Sequence, residues 1–490
     1  MSMQRAVAGY LPGLAAEDVQ WQTLGFGPDA GRLELAVPVL SPPQTTALAR
    51  RVRQASRAHL KTLAVSRIIE VIDRAVARLL DPADPYRQQA DRLLPIVTGY
   101  DPEMVRLGLT SLLKTFRAPQ LHRFVAEDFA NPKVLDEFQP GVKGGAVRAC
   151  GPDLLVHSWA GNVPGLPLWS LVCGLLVKAG NIGKLPSAEP LFAGLFARLL
   201  AEVHPPWADC LAVVWWKGGD DAPAVALWAE ADTVLAYGGS DTLAQLRRQL
   251  PVTTRFLPHG HKLGFGMIGR AALDAHRAPA TARRAAHDVA RYDQQGCYSP
   301  HVFYVERGGK VAPREFAQYL AGELANLQKR FPRRALTLED STATAGWRQS
   351  AEWRALAGGG CASIGEAGAA WHVAFADAPQ ALAPTASNRS VQVVAVDRLD
   401  QVIAQIEQHR PFLQTAGLAA DPAELFRLAG LLGEAGVTRI TAVGAMTAPE
   451  AGWHHDGRFN LIDLVRMVEI EQSAERAADG FASYADEEAP

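Results

Sequence analysis

Residues 154–185 read LLVHSWAGNVPGLPLWSLVCGLLVKAGNIGKL. Leu154-Leu155-Val156 is a short apolar run suited to a buried strand, and Gly161, Pro164, Gly165 and Pro167 break it into a loop. Leu168 to Val177 predicts a helix, Ala179-Gly180-Asn181 ends it, and Ile182 to Leu185 is a second short strand. The pattern then repeats as helix 190–203, strand Leu211 to Trp215, helix 222–230, strand Thr233 to Tyr237 and helix 241–249. Short apolar strands alternating with helices of this length predict an α/β fold, a parallel sheet wound by crossover helices. Ligands of such sheets bind at the carboxyl ends of the strands, where these loops lie.

Upstream, residues 30–45 read as extended, with LELAVPVL closed by Pro42-Pro43. From Thr45 to about Phe129 the chain reads as helical, and Ile68, Ile69, Val71, Ile72, Val76 and Leu79 form one apolar stripe. Asp81 to Asp84 breaks it. Downstream of about Pro258 a second α/β unit is expected: helix 281–291, a loop holding Cys297, strand His301 to Val305, helix 313–330, strand Val391 to Val396, and helices around 400–408 and 421–436. The acidic end of the chain, EEAP, is expected to fray.

A chain of 490 residues is too long for one core and should divide into two or three domains. With 48% apolar and 20% charged residues it has an ordinary globular composition, and a net charge of −2 argues against a nucleic-acid partner. The longest strongly apolar run, about Leu166 to Val177, ends at Lys178, short of the roughly twenty residues a membrane span needs. Glu17 and Asp18 interrupt any signal sequence, so a cytoplasmic location is expected. The five cysteines, 150, 173, 210, 297 and 361, are odd in number and show no CxxC, which indicates neither a disulfide framework nor a zinc site.

Cys297 lies in YDQQGCYSP (292–300), a polar, turn-forming context unlike that of Cys173 in SLVCGLL. Backbone N–H groups of such a loop can activate a thiol and stabilise charge on a bound carbonyl. On this context alone, an inert loop cysteine weighs as much as a nucleophile. Gly238-Gly239-Ser240 could seat a pyrophosphate at a helix N-terminus, or Ser240 could simply cap that helix. No GxGxxG follows the first strand.

Together these segments resemble the aldehyde dehydrogenase superfamily. Trp159-Ala160-Gly161-Asn162-Val163-Pro164 is similar to its strand-to-helix loop, Gly180-Asn181 through Ser187-Ala188-Glu189-Pro190 to its ribose-binding strand, Gly239-Ser240 to its pyrophosphate-binding pair, and Gln295-Gly296-Cys297 to its nucleophile loop. Asn162 precedes Cys297 by 135 residues and Ser240 precedes it by 57, close to the family's pattern. The departures point to one branch. Where hydrolytic members carry a Glu in an ELGGK-like motif, this chain reads Pro258-His259-Gly260-His261-Lys262, and Ser387-Asn388-Arg389-Ser390 occupies the region of the EIFGP motif. Cys-Tyr-Ser-Pro-His from residue 297 and HHDGRFNL from 454 are most similar to the acyl-CoA reductase (LuxC-type) branch, over about residues 30–472.

The resemblance implies an aldehyde dehydrogenase-like fold. It consists of a Rossmann-type NAD(P)-binding domain (1–139 and 155–257), an α/β catalytic domain (258–450), a small β oligomerisation extension (140–154 and 451–475) and a frayed tail (476–490). It implies an acyl thioester reductase that forms an acyl-Cys297 intermediate on a fatty acyl substrate and releases an aldehyde. Asn162 is the expected oxyanion donor, with capping of the helix near Pro164 as the other reading. Trp159, Lys184, Ser187, Glu189, Gly239 and Ser240 are expected at the cofactor. NADPH is the expected cofactor, with NADH as the alternative, because Glu189 would repel a 2′-phosphate that Lys184 and Ser187 could bind. His259 and His261 are expected as proton relays, thiol-tuning groups or plain loop residues. Residues 454–456 are expected as a turn or tunnel lining, because adjacent side chains rarely aim at one ion, and no metal is called for. Expected partners are acyl-CoA or another acyl thioester, an acyl-protein synthetase and further copies of the chain. The alternatives are a hydrolytic aldehyde dehydrogenase and a non-catalytic assembly partner of the same fold.

Overall fold

The computed structural model describes residues 3–27, 33–219 and 221–482. The segment quoted above forms the centre of a five-stranded parallel sheet. Its order is Arg255–His259, Thr233–Tyr237, Leu154–Ser158, Gly180–Lys184, Leu211–Val214. The winding reverses between Leu154–Ser158 and Thr233–Tyr237, so the loop through Asn162 and the Gly238-Gly239-Ser240 turn flank a crevice at the carboxyl edge. The apolar stripe of helix Val65–Leu80 is buried along its length and packs against helices Pro167–Leu176 and Phe192–Val203, which lie on this sheet.

A seven-stranded sheet forms the second unit, in the order Ala362–Ile364, His372–Ala376, Ser390–Val396, Pro300–Glu306, Leu263–Ile268, Leu413–Ala419, Arg439–Ala442. Every pairing except the first is parallel. Cys297 stands just before the central strand Pro300–Glu306, so the second sheet presents its amino edge to the crevice of the first. Arg466–Ile470, Ala146–Cys150 and Gln139–Pro140 make a small antiparallel sheet. Gln4–Val7, Leu33–Val39 and Gln20–Phe26 make another near the N-terminus.

Some elements differ from expectation. The helical stretch expected from Thr45 begins at Pro42, because Ser41 and Gln44 form a capping box around Pro at the first helical position. Strand Arg255–His259 pairs with the first sheet and runs past the boundary expected at 257. Strands LGFGMI and LQTAGLA lie at 263–268 and 413–419, where their glycines and polar residues hide them from an apolar-run reading. Helix Leu338–Leu356 buries only Ala351 and so has no stripe to find. The fraying expected from 476 is corrected in part: Gln472–Asp479 is a helix, while 483–490 lie outside the described residues.

Two left-handed turns face each other beside Cys297. Tyr292, Asp293 and Gln294 have φ of 48°, 50° and 62°, and Ser387, Asn388 and Arg389 have 52°, 51° and 65°. Such a conformation costs a non-glycine residue about 1–2 kcal/mol. An ion pair of 2.7 Å between Arg389 Nε and Asp293 Oδ1 joins the turns, with both side chains at most 2% exposed. The Asn388 N–H donates to the Asp293 carbonyl at 2.8 Å, and Arg389 also donates to Gln328 Oε1 at 2.8 Å. Removing one partner leaves the other as a buried, unpaired charge. Arg389→Met is therefore expected to cost about 3–5 kcal/mol in denaturant unfolding. An unfolding midpoint equal to the parent's would count against the bridging role.

Candidate active site

The strand ends bring Cys297, Asn162, Gly239, His259 and His261 to one cavity of about 430 Å³. Leu112, Val163, Leu166, Trp169 and Trp453 supply its apolar wall. The Cys297 thiol is half-buried. Burial pushes it up to about 11, the negative charge of Asp456 adds to this, and a hydrogen bond from Gln414 opposes it. The thiol therefore keeps its proton at neutral pH.

Gln414 comes from strand Leu413–Ala419, and its Nε2 donates to Cys297 Sγ at 3.6 Å and to Asp456 Oδ1 at 2.7 Å. Asp456 Oδ2 meets His259 Nδ1 at 2.8 Å, so both carboxylate oxygens are engaged. Burial alone would raise Asp456, but the hydrogen bonds from the His259 ring and the Gln414 amide hold it well below the usual carboxylate range. Asp456 sits in a tight turn at φ 56°. His259 and His455 stack at 4.4 Å and 6°, with Tyr237 nearly parallel to His259 at 4.9 Å. Burial and the neighbouring His259 push His455 down to about 3, which keeps it neutral. Ligand atoms of His259, His455 and Asp456 lie within 4.8 Å of one another. Stacked, parallel imidazoles direct their ring-plane lone pairs alongside each other, a poor fit to one shared ion.

Asn162 does not cap the following helix: Pro167–Leu176 begins at Leu166 with no side-chain cap. Its Nδ2 instead donates to the Gln295 carbonyl at 2.6 Å, two residues before the thiol. Its Oδ1 is buried without a partner, and Tyr100 Oη donates to its carbonyl at 2.8 Å.

The residues expected at the cofactor divide. Gly239 precedes helix Ser240–Gln249, which has no side-chain cap, so Ser240 is not the cap of its own helix. Gly239 and Ser240 are exposed, and a Cβ on Gly239 would meet nothing within 4 Å. Open N–H groups there suit a phosphate, although Asp241 stands in the same first turn. Ser187 is exposed and accepts from Trp215 Nε1 at 3.3 Å. Lys184 Nζ lies 5.8 Å from the centre of the Trp216 ring, and burial lowers its pKa. This set fits a dinucleotide.

Two expectations need correction. The Trp159 indole turns into the core, stacked on His157 at 5.4 Å and donating to Ser170 Oγ at 2.8 Å, which leaves only its backbone near the crevice. Glu189 is 1% exposed, and its Oε1 accepts from the Leu191 and Phe192 N–H groups at 2.9 and 2.8 Å. It caps the start of helix Phe192–Val203 and does not face a ribose.

The family model described as acyl-CoA reductase (LuxC) matches residues 60–467. The chain belongs to the acyl-CoA reductase (LuxC) family. A curated relative, the long-chain acyl-protein thioester reductase of Vibrio harveyi, is 26% identical over 420 residues, 84% of each chain. That of Aliivibrio fischeri is 28% identical over 395 residues, 78% of this chain and 77% of its own. Among solved structures, the aldehyde dehydrogenase KauB from Pseudomonas aeruginosa superposes with a TM-score of 0.74 at 14% identity, covering 95% of this chain and 96% of its own. An indole-3-acetaldehyde dehydrogenase solved with NAD+ gives 0.73 at 16%, with the same coverage. The aldehyde dehydrogenase fold and membership of this family make the chain an oxidoreductase that acts on acyl thioesters. No helix of the described residues is long and apolar enough to cross a membrane.

Sequence reasoning missed Gln414 and the charge that Asp456 sets near the thiol. A polar Gln-Thr pair inside a buried strand was the available signal for the first. For the second, the expected turn at 454–456 was correct, and Trp453 and His455 do line the cavity.

Two measurements check this electrostatic picture. Iodoacetamide should label Cys297 slowly at pH 7, with a rate climbing about tenfold per pH unit toward the thiol pKa. Asp456→Asn removes a charge that raises that pKa, so labelling at pH 8 should quicken about three- to tenfold, whereas Gln414→Leu should slow it. Rates that move in the same direction for both variants would refute the arrangement. Glu189 provides the second. Burial raises its carboxyl from 4.5 to about 7, against the bonds from the Phe192 and Leu191 N–H groups. It binds its proton more tightly folded than unfolded, so its stabilising contribution is complete below about pH 4.5 and is lost as pH rises through about 7. Glu189→Gln should stabilise the chain by about 1–3 kcal/mol at pH 8 and little at pH 4.5, measured by urea unfolding.

Proposed function

We propose that this chain takes an acyl group from a thioester donor onto Cys297 and reduces it to the aldehyde, with a long fatty acyl chain as substrate. The observation that carries this reading is the meeting of the thiol, the Asn162 amide and an apolar wall in one cavity whose neighbouring carboxylate is already bonded on both oxygens. A carboxylate so engaged is a poor base for water, so the acyl-enzyme outlives hydrolysis. The names of the relatives, long-chain acyl-protein thioester reductases, support the acyl length and a protein-borne donor such as an acyl-protein synthetase.

Cys297 Sγ attacks the donor carbonyl as its proton passes toward His259, whose ring Asp456 orients. Asn162 Nδ2 shifts from the Gln295 carbonyl to the developing oxyanion, beside the Cys297 N–H. Collapse expels the donor sulfur, which takes the proton and leaves as thiol. A nicotinamide cofactor bound at Gly239-Ser240 supplies the hydride for the reduction. The same two donors hold the oxygen of the resulting thiohemiacetal on Cys297 until the aldehyde leaves and the thiolate is reprotonated. With Glu189 turned inward, no carboxylate of that turn opposes a 2′-phosphate bound by Lys184 and Ser187, which supports NADPH over NADH. The NAD(P)-binding domain is assigned to 1–139 and 155–259, with strand Arg255–His259 moving its boundary from 257, the catalytic domain to 260–450, and subunit joining to the small antiparallel sheet. A cytoplasmic homo-oligomer accompanies this reading.

Incubation with long-chain acyl-CoA should add one acyl mass to the intact protein, absent in Cys297→Ala, and NADPH should then release aldehyde. An adduct that survives Cys297→Ala would end the proposal. Carboxylate formed from aldehyde with NAD(P)+ and without thiol would favour hydrolysis, with His259 and Asp456 as its base.

A further inference from the structure

A second cavity, of about 1130 Å³, reaches the catalytic residues from another side. It shares Asn162 and Gln295 with the catalytic cavity, so the hydrogen bond between them at 2.6 Å stands as a bar between the two spaces. Away from that bar the lining is cationic, with Arg92, Arg333 and Arg334. Arg92 is exposed and Arg333 half-buried, and among the described residues neither has a carboxylate partner. Burial lowers the Arg333 pKa, the Asp293 carboxylate opposes this, and the neighbouring charges of Arg389, Arg348 and Arg334 add to the lowering. An unpaired guanidinium in such company favours an anion beside it. Arg334 pairs with Asp340 at 3.2 Å, yet its Nε is buried with no hydrogen-bond partner.

The carboxylates of the cleft are occupied elsewhere. Asp91 pairs with Arg87 at 2.8 Å, and Asp101 Oδ1 accepts from the Met104 N–H at 3.0 Å. Among the described carboxylates of the cleft, Asp91 Oδ1 alone is buried and unpartnered, an acceptor suited to an amide N–H or a hydroxyl.

The chemistry of the reaction calls for such a space. An acyl thioester has two halves, and the apolar cavity suits only one of them. At about 430 Å³ it must hold an acyl chain and leave room for the reducing group at Cys297. The other half of a soluble donor is long and polar and ends in phosphate, and it needs cations and amide partners.

We infer that the arginine-lined cleft binds the phosphopantetheine half of the acyl donor, whether carried by coenzyme A or by a carrier protein. The thioester then crosses the bar at Asn162 and Gln295. Opening that bar to admit the thioester also frees the Asn162 amide for the oxyanion, so donor entry and assembly of the oxyanion site are one event. The inference rests on the thioester-reductase reading, and binding of a donor half that carries no acyl group tests it separately.

The experiment measures coenzyme A binding to the full-length chain by calorimetry, with NADP+ saturating so that the dinucleotide crevice is filled. Binding should persist under NADP+, and Arg333→Gln and the exposed Arg92→Gln should each weaken it about tenfold. Affinity for pantetheine, which lacks phosphate, should not change in either variant. Displacement by 4′-phosphopantetheine is expected for either source, and further displacement by 3′,5′-ADP would identify the coenzyme. Competition between coenzyme A and NADP+, or equal affinity of parent and both variants, would overturn the cleft. Arginine-dependent binding without any acyl adduct on Cys297 would keep the cleft and overturn the thioester-reductase reading instead.

Discussion

The buried pair of Asp293 and Arg389 bridges two stretches of backbone that no local preference would support. Six non-glycine residues stand in the left-handed region on either side of it. Each turn alone would relax, and together they are over-determined by one ion pair and a few backbone bonds. What rests on this bridge is extensive. Gln295, whose carbonyl holds Asn162, follows directly from the first turn, and Cys297 is two residues further on. The second turn carries Asn388, which bonds Gln295 and Arg333. Both cavities therefore take their shape from the same strained junction, which explains how a loop can place a sulfur as firmly as a strand does.

Around that sulfur, three elements distant in sequence contribute one polar group each. Asp456 raises the thiol pKa, Gln414 lowers it, and His259 holds Asp456 in place. Since the carboxylate is bonded on both oxygens, the charge is spent on geometry more than on basicity. The same economy appears at Glu189, where a carboxyl that could have faced a ribose instead starts a helix.

How much of this was legible in the residues follows from the range of each interaction. The Leu154 to Gln249 alternation is a local pattern, and its strands and helices were readable to within a few residues. Strands Leu263–Ile268 and Leu413–Ala419 were not, because burial on both faces lets Gly, Gln and Thr stand where a half-exposed strand would alternate. That Cys297 and Asn162 would meet in one cavity was readable through ordered spacing. The inward rotation of Trp159 and Glu189 was not, since a resemblance in sequence carries a residue's position and leaves its side-chain direction to packing. Asp456 and Gln414 meet only through the tertiary fold, 42 residues apart. No spacing rule connects them.

The protonated state of the resting thiol has a consequence beyond the reaction it serves. Peroxides and other oxidants attack thiolate far faster than thiol, and the damage runs through sulfenic to irreversible acids. By keeping the proton on Cys297, the burial that raises its pKa also shields the atom on which the proposed reaction turns. On the proposed reading, the apolar walls that would take the acyl chain are the same walls that hold the thiol in its less oxidisable form.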